Sequence, residues 1–311
     1  MRIIIYAFSG TGNTLKVAEL YRENLSREGG NSVTVFSIEH ILPHTPVPDP
    51  NDFDLCGFAY PVHGFNAPEI FVDFCRSLPA VTGDEKPAFV FKTSGEGLTL
   101  NNHSSQKFMR VLERKGFAFL SERHYVMPYN MIFRHSPEMV KSEWIFARGL
   151  ALLHSREIME KKKENVRTSP LKAWFVPLFR IEWLYARAQG PFMRVDMDKC
   201  LKCMRCVKRC PCDNITFDSD RNKFKFGTNC ALCVRCSFSC PSCAISIGLL
   251  NGWRINGDYR IEETAGDPAI KFPYFTEELR GLRRWAYYRY YKNLAERLSR
   301  NGISISGETL S

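Results

Sequence analysis

Short apolar runs rich in Val, Ile, Phe and Tyr punctuate the first half of the chain. They fall at Arg2–Phe8, Val33–Ser37, Phe53–Tyr60, Ala88–Thr93 and, longer, near Phe117–Met127. Runs of this length and composition predict buried strands. Between and after them, helical spacing of apolar positions predicts helices near 13–28, 67–78, 103–115 and 137–164. This alternation over residues 1–165 predicts an α/β domain, a parallel sheet with helices on both faces.

The pattern changes after residue 165. Residues 166–193 read as a linker in which Trp174, Phe175, Leu178, Phe179, Trp183, Leu184 and Tyr185 are concentrated. Pro177, Arg180 and Glu182 interrupt that run, so it is expected to pack two domains together rather than to cross a bilayer. Residues 194–250 contain an internal repeat. Cys200–Ile215 and Cys230–Ile245 align at an offset of 30, and each reads C-x-x-C-x-x-C-x-x-x-C-P-x-x-x-I. Residues 251–311 form a C-terminal extension with a helix expected at 276–300, where Leu279, Leu282, Ala286, Tyr290, Leu294 and Leu298 recur at helical spacing. Arg280, Arg283, Arg284, Arg289, Lys292, Arg297 and Arg300 give that helix a basic side, expected to stay solvated while the rest packs on the linker or the repeat module.

The chain has 311 residues, which is enough for two domains. Its net charge of +10 favours an acidic partner, an anionic membrane surface or a nucleic acid without choosing among them. Twelve cysteines are many for this length. The first residues, MRIIIYAFSG, lack the apolar core and small-residue cleavage site of a secretory signal, and no apolar stretch is long enough to span a membrane. A cytoplasmic location is therefore expected, where thiols stay reduced and clustered cysteines point to metal.

Each repeat can wrap three corners of an iron–sulfur cube with C-x-x-C-x-x-C, and the fourth corner must come from elsewhere. The run resembles that of bacterial two-cluster ferredoxins, whose fourth cysteine ligates the other cluster. That resemblance implies one [4Fe–4S] cluster on Cys200, Cys203, Cys206 and Cys240, and another on Cys230, Cys233, Cys236 and Cys210. Pro211 and Pro241 end the local turns, and Ile215 and Ile245 are expected to line the clusters. Zinc also binds C-x-x-C pairs, but two matched runs of four ending in proline exceed what a zinc site needs. Cys56, Cys75, Cys212 and Cys243 fall outside the pattern and are expected to be packing residues. Between Asp196 and Gly248 there are nine Lys or Arg against five Asp, a net of +4. A basic module suggests docking on an acidic redox partner, for instance a ferredoxin or an oxidoreductase.

Ser9-Gly10-Thr11-Gly12-Asn13-Thr14 follows the first strand and opens the first helix. Its glycines permit tight turns, its hydroxyls can donate, and free N–H groups at the helix start favour an anion. With no lysine in the loop, a monoester phosphate fits better than ATP. Here the chain resembles flavodoxin, whose phosphate loop reads [TS]-x-T-G-x-T. Over residues 1–160 this implies a doubly wound five-stranded sheet of order 2-1-3-4-5 and an FMN at its switch point. Two further loops are then expected to meet the ring: Tyr60-Pro61-Val62-His63-Gly64-Phe65, and Thr93-Ser94-Gly95-Glu96-Gly97. His63 or Phe65 is placed to cover one ring face. The second loop lacks a stacking aromatic, which implies an open flavin.

The whole arrangement resembles flavodoxin–ferredoxin fusion proteins of anaerobic bacteria and archaea. It implies electron transfer in which one-electron [4Fe–4S] clusters are coupled to a one- or two-electron FMN in one chain. The alternative is an FMN-dependent reductase of a quinone or conjugated organic acceptor, with His63 as candidate proton donor. No catalytic residue is assigned. Interleaved Trp285, Tyr287, Tyr288, Tyr290, Tyr291 and arginines can stack on single-stranded nucleic acid, but nothing else resembles such a module, so no nucleic-acid partner is expected. Peripheral membrane contact through the basic tail stays open. Lys161, Lys162 and Lys163 read as an exposed helix end.

Overall fold

The computed structural model describes residues 1–40, 46–164, 188–272 and 281–305. The linker aromatics from Trp174 to Tyr185, and the start of the C-terminal helix with Leu279, lie outside the described residues.

The first half folds as β1 (Arg2–Ala7), α1 (Asn13–Arg27), β2 (Ser32–Ser37), β3 (Leu55–Pro61), α2 (Glu69–Ser77), β4 (Lys86–Ser94), α3 (Gln106–Glu113), β5 (Phe117–Val126) and α4 (Pro137–Met159). The strands form one parallel sheet of order β2-β1-β3-β4-β5. This is the expected doubly wound, flavodoxin-like order. The continuous apolar runs follow from burial on both faces. Along β1, Ile3, Ile5 and Ala7 join the core under α1 and α4, while Ile4, Tyr6 and Phe8 join the core on the opposite face. The switch point lies where β1 and β3 diverge, beneath the β1–α1 turn.

The repeat module is built from β6 (Arg194–Val195), α5 (Arg205–Lys208), β7 (Ile215–Asp218), β8 (Lys223–Phe226), α6 (Arg235–Phe238) and β9 (Ile245–Ser246). β6 pairs with β9 and β7 with β8, both antiparallel. The repeat is visible in the backbone. Lys202, Met204 and Asp213 have positive φ, and so do Leu232, Val234 and Cys243, each 30 residues on.

The C-terminal extension contributes α7 (Ile261–Gly266) and α8 (Gly281–Arg300). Its packing differs from expectation. Tyr287, Tyr291, Leu294 and Leu298 join the core of the sheet domain, with α8 against α4, rather than covering the repeat module. Ile255, Tyr259 and Ile261 join the same core. The physical reason lies in the tyrosines. Tyr287 and Tyr291 are almost fully buried, so the apolar stripe of α8 is broad enough to form a third layer on the sheet domain. Two of the five aromatics weighed as a stacking surface, Tyr287 and Tyr291, are thereby used as core, and Trp285 and Tyr288 of that group are exposed. Lys161 follows α4 at the expected exposed end, with positive φ.

Candidate functional site

The crosswise quartets implied by the cysteine pattern meet around two separate cavities. Cys200, Cys203, Cys206 and Cys240 line one, together with Ile245, Val195 and Phe224. Cys210, Cys230, Cys233 and Cys236 line the other, together with Ile215, Met193 and Ile247. Cys236 also reaches the edge of the first cavity. Among the described residues, no three Cys, His, Asp or Glu side chains converge tightly enough for a single metal ion.

The backbone around each quartet repeats as well. Lys202 N–H points to Cys200 Sγ and Leu232 N–H to Cys230 Sγ, both at 3.4 Å. Asn214 N–H donates to Cys210 Sγ and Ala244 N–H to Cys240 Sγ, both at 3.3 Å. Such N–H···S contacts favour a thiolate and tune an iron–sulfur centre. In the metal-free chain, burial pushes the Cys233 thiol up to about 12 and Cys206 to about 11. A thiolate at these positions therefore depends on a positive charge in the cavity.

Of the cysteines outside the pattern, Cys56 and Cys75 are fully buried packing residues. Cys243 is not: it is exposed, in a turn with positive φ. Cys212 lines the second cavity beside the quartet.

The β1–α1 turn lies directly under the second half of the repeat. Arg235 of α6 donates from Nε to Gly10 O at 2.7 Å and from Nη2 to Ser9 O. It also pairs with Glu39, whose other carboxylate oxygen accepts Ser9 N–H at 2.6 Å. A Cβ at Gly10 would stand 2.8 Å from Cys233 O, so only glycine lets the two backbones approach. Cys233 itself belongs to the core cluster of the sheet domain. Arg235 and Glu39 were not legible as site residues. The Arg at this motif position occurs in both halves, and Glu39 is one carboxylate in a polar stretch.

No family model matches this chain, and no curated protein matches it. Solved flavodoxins align with about half of it. A flavodoxin from Bacillus cereus is 16% identical, covers 51% of this chain and 98% of its own, and has a TM-score of 0.37. A flavodoxin from Streptococcus pneumoniae is 18% identical, with 52% and 99% covered and a TM-score of 0.35. Rubredoxin oxygen:oxidoreductase from Desulfovibrio gigas is 14% identical, with 51% of this chain and 36% of that chain covered and a TM-score of 0.33. At these identities the likeness concerns the fold of the first half alone.

The three loops expected to hold FMN each make contacts within the protein. In the first, Ser9 Oγ accepts Gly12 N–H, Thr11 Oγ1 accepts from Asn130, and Thr14 Oγ1 bonds Thr93 Oγ1. In the second, Tyr60 is buried in the core, and His63 and Asn66 bond each other through the backbone around Gly64 and Phe65. Burial lowers the His63 imidazole to about 4, and a bond to the Ala231 backbone opposes that shift. In the third, the expectation of an open ring face is corrected. Tyr287 Oη donates to Gly95 O, the Tyr129 ring lies where a Cβ of Gly95 would be, and Tyr290 lies against Gly97. Aromatics do cover this loop, but they come from α8 and from the segment after β5. With the module seated in this way, protein covers the second and third loops, while a Cβ at Gly12 of the first would meet open space.

Proposed function

We propose that this chain is an electron-transfer protein whose repeat module holds two [4Fe–4S] clusters. One would sit on Cys200, Cys203, Cys206 and Cys240, the other on Cys230, Cys233, Cys236 and Cys210. The observation that carries this reading is the doubled cradle: two cysteine quartets, each around its own cavity, with matching N–H···S contacts 30 residues apart. Such clusters, when bound, exchange electrons one at a time.

The residues contribute in separable ways. Ile215 and Ile245 are buried and keep water from the cavities. Cys203 is exposed, and Lys199, Lys202 and Arg205 near it are exposed too. That surface suits an acidic redox partner, which it would steer by charge. Anaerobic reconstitution followed by iron and sulfide analysis tests the reading. About eight irons per chain are expected; two zinc ions and no sulfide would overturn it.

A second reading keeps FMN on Ser9–Thr14 and couples it to the clusters. The complete match of the loop to [TS]-x-T-G-x-T and the 2-1-3-4-5 strand order favour it. It requires the repeat module and α8 to draw back from the three loops. The reductase alternative has less support, because His63 is packed against Ala231 and held neutral. No helix among the described residues is long and apolar enough to cross a membrane.

A further inference from the structure

We propose that the switch-point crevice of the flavodoxin-like sheet is a docking socket for the second half of the repeat, and that it takes no flavin while the module is seated. This goes beyond the electron-transfer reading and depends on it only for what the module carries.

Four observations converge on the crevice. Cys233 O approaches Gly10 so closely that a single added carbon would collide with it. Arg235 reaches across with its guanidinium, holding the Ser9 and Gly10 carbonyls and the Glu39 carboxylate together. The Ala231 backbone accepts a hydrogen bond from the His63 ring. On the far side, Tyr287 and Tyr290 of α8 close the Thr93–Gly97 loop.

These contacts fall on the three loops expected to meet a flavin. Arg235 holds the carbonyl side of the first, the Ala231 backbone bonds His63 in the second, and the tyrosines cover Gly95 and Gly97 in the third. The arrangement is a built interface rather than an accidental touch. The Arg235 side chain is 12% exposed and that of Glu39 is 4% exposed, and an ion pair this buried persists only with its hydrogen bonds made. The bonds to two backbone carbonyls and from Ser9 N–H meet that condition.

The test uses the full chain, reconstituted anaerobically with iron and sulfide, then incubated with excess FMN and desalted. No retained flavin is expected, with FMN fluorescence unquenched during titration. About one FMN per chain with both clusters intact would overturn the proposal. A second measurement covers variants. Gly10→Ala and Arg235→Lys should each lose hydrogen-exchange protection at 230–236 and at 9–14 together, while the electron paramagnetic resonance signal of the first-half cluster persists. Unchanged protection in both variants would also overturn the socket. Failure of the electron-transfer reading would show separately, as absent iron in the unmodified chain.

Discussion

The two halves of the repeat share one motif but live in different surroundings. The first loop reads C-L-K-C-M-R-C-V-K-R-C and the second C-A-L-C-V-R-C-S-F-S-C. Where the first has Lys202, Lys208 and Arg209, the second has Leu232, Phe238 and Ser239. Leu232, Cys233, Val234 and Phe238 are all buried, whereas Leu201, Lys202, Cys203 and Arg205 are exposed. The backbone requirement is identical in both, as the matched positive φ values show. The lesson is that ligand geometry dictates the motif, while the residues between the cysteines report which half faces water and which faces the sheet domain.

The largest expected effect concerns metal removal. Chelation of iron should open the first loop fully, whereas the second should keep partial protection from its contacts with Gly10 and Glu39. Limited proteolysis reads this directly, and equal cleavage in both loops would break the comparison. Next come the equivalent arginines. Arg235→Ala leaves the buried Glu39 carboxylate without its cation and should cost about 3 kcal/mol. Arg205→Ala, on an exposed side chain, should stay within about 0.5 kcal/mol. Urea midpoints at constant slope measure both, and equal shifts would remove the asymmetry.

A third prediction separates the sheet domain from the module. His154 is fully buried and bonded to Tyr21 and Ser121. Burial, helped by the Arg123 and Arg297 charges, lowers its imidazole well below the usual value. The unfolded chain therefore binds a proton there near pH 6.5 while the folded chain does not, so stability falls as pH drops below that point. The slope should approach 1.4 kcal/mol per pH unit. Denaturant titrations from pH 7.5 to 5 should show the loss, and in His154→Gln its slope should shrink by that amount, leaving the part due to the lowered His63 and His124. The smallest effect is on docking. Lys202→Glu should slow reduction by an acidic carrier about threefold at low salt, with the difference shrinking as salt rises. A salt-independent change would mean that the exposed half is not the port.

Much of the fold was legible because the signals are local. Runs such as Ile3–Tyr6 and Phe89–Phe91 are apolar on both faces, which only a covered parallel sheet explains. The cysteine spacing likewise encodes a loop that needs no distant partner to be recognised. What escaped the sequence depends on contacts between distant segments. Arg235 and Arg205 are indistinguishable by motif position, and only the apolar neighbours of Arg235 hint at which one is buried. Glu39 matters because the fold brings it to Ser9. Tyr287 lay outside the expected apolar stripe of α8, because tyrosine suits both core and solvent, and that helix was expected to pack elsewhere. The phosphate-type loop shows the converse. Its residues match a motif fully, yet what binds there depends on what the rest of the chain lays over it.

The six left-handed residues of the repeat carry one more consequence. Lys202, Met204, Asp213, Leu232, Val234 and Cys243 hold a conformation that costs a non-glycine residue roughly 1–2 kcal/mol each. Val234 is the least suited of them, since its branched Cβ crowds the backbone there. Together they place a strain of about 6–12 kcal/mol on a small module, comparable to the net stability of a whole domain. The module should therefore be a conditional fold, short-lived when its inorganic ligand is scarce and readily cleared by cellular proteases.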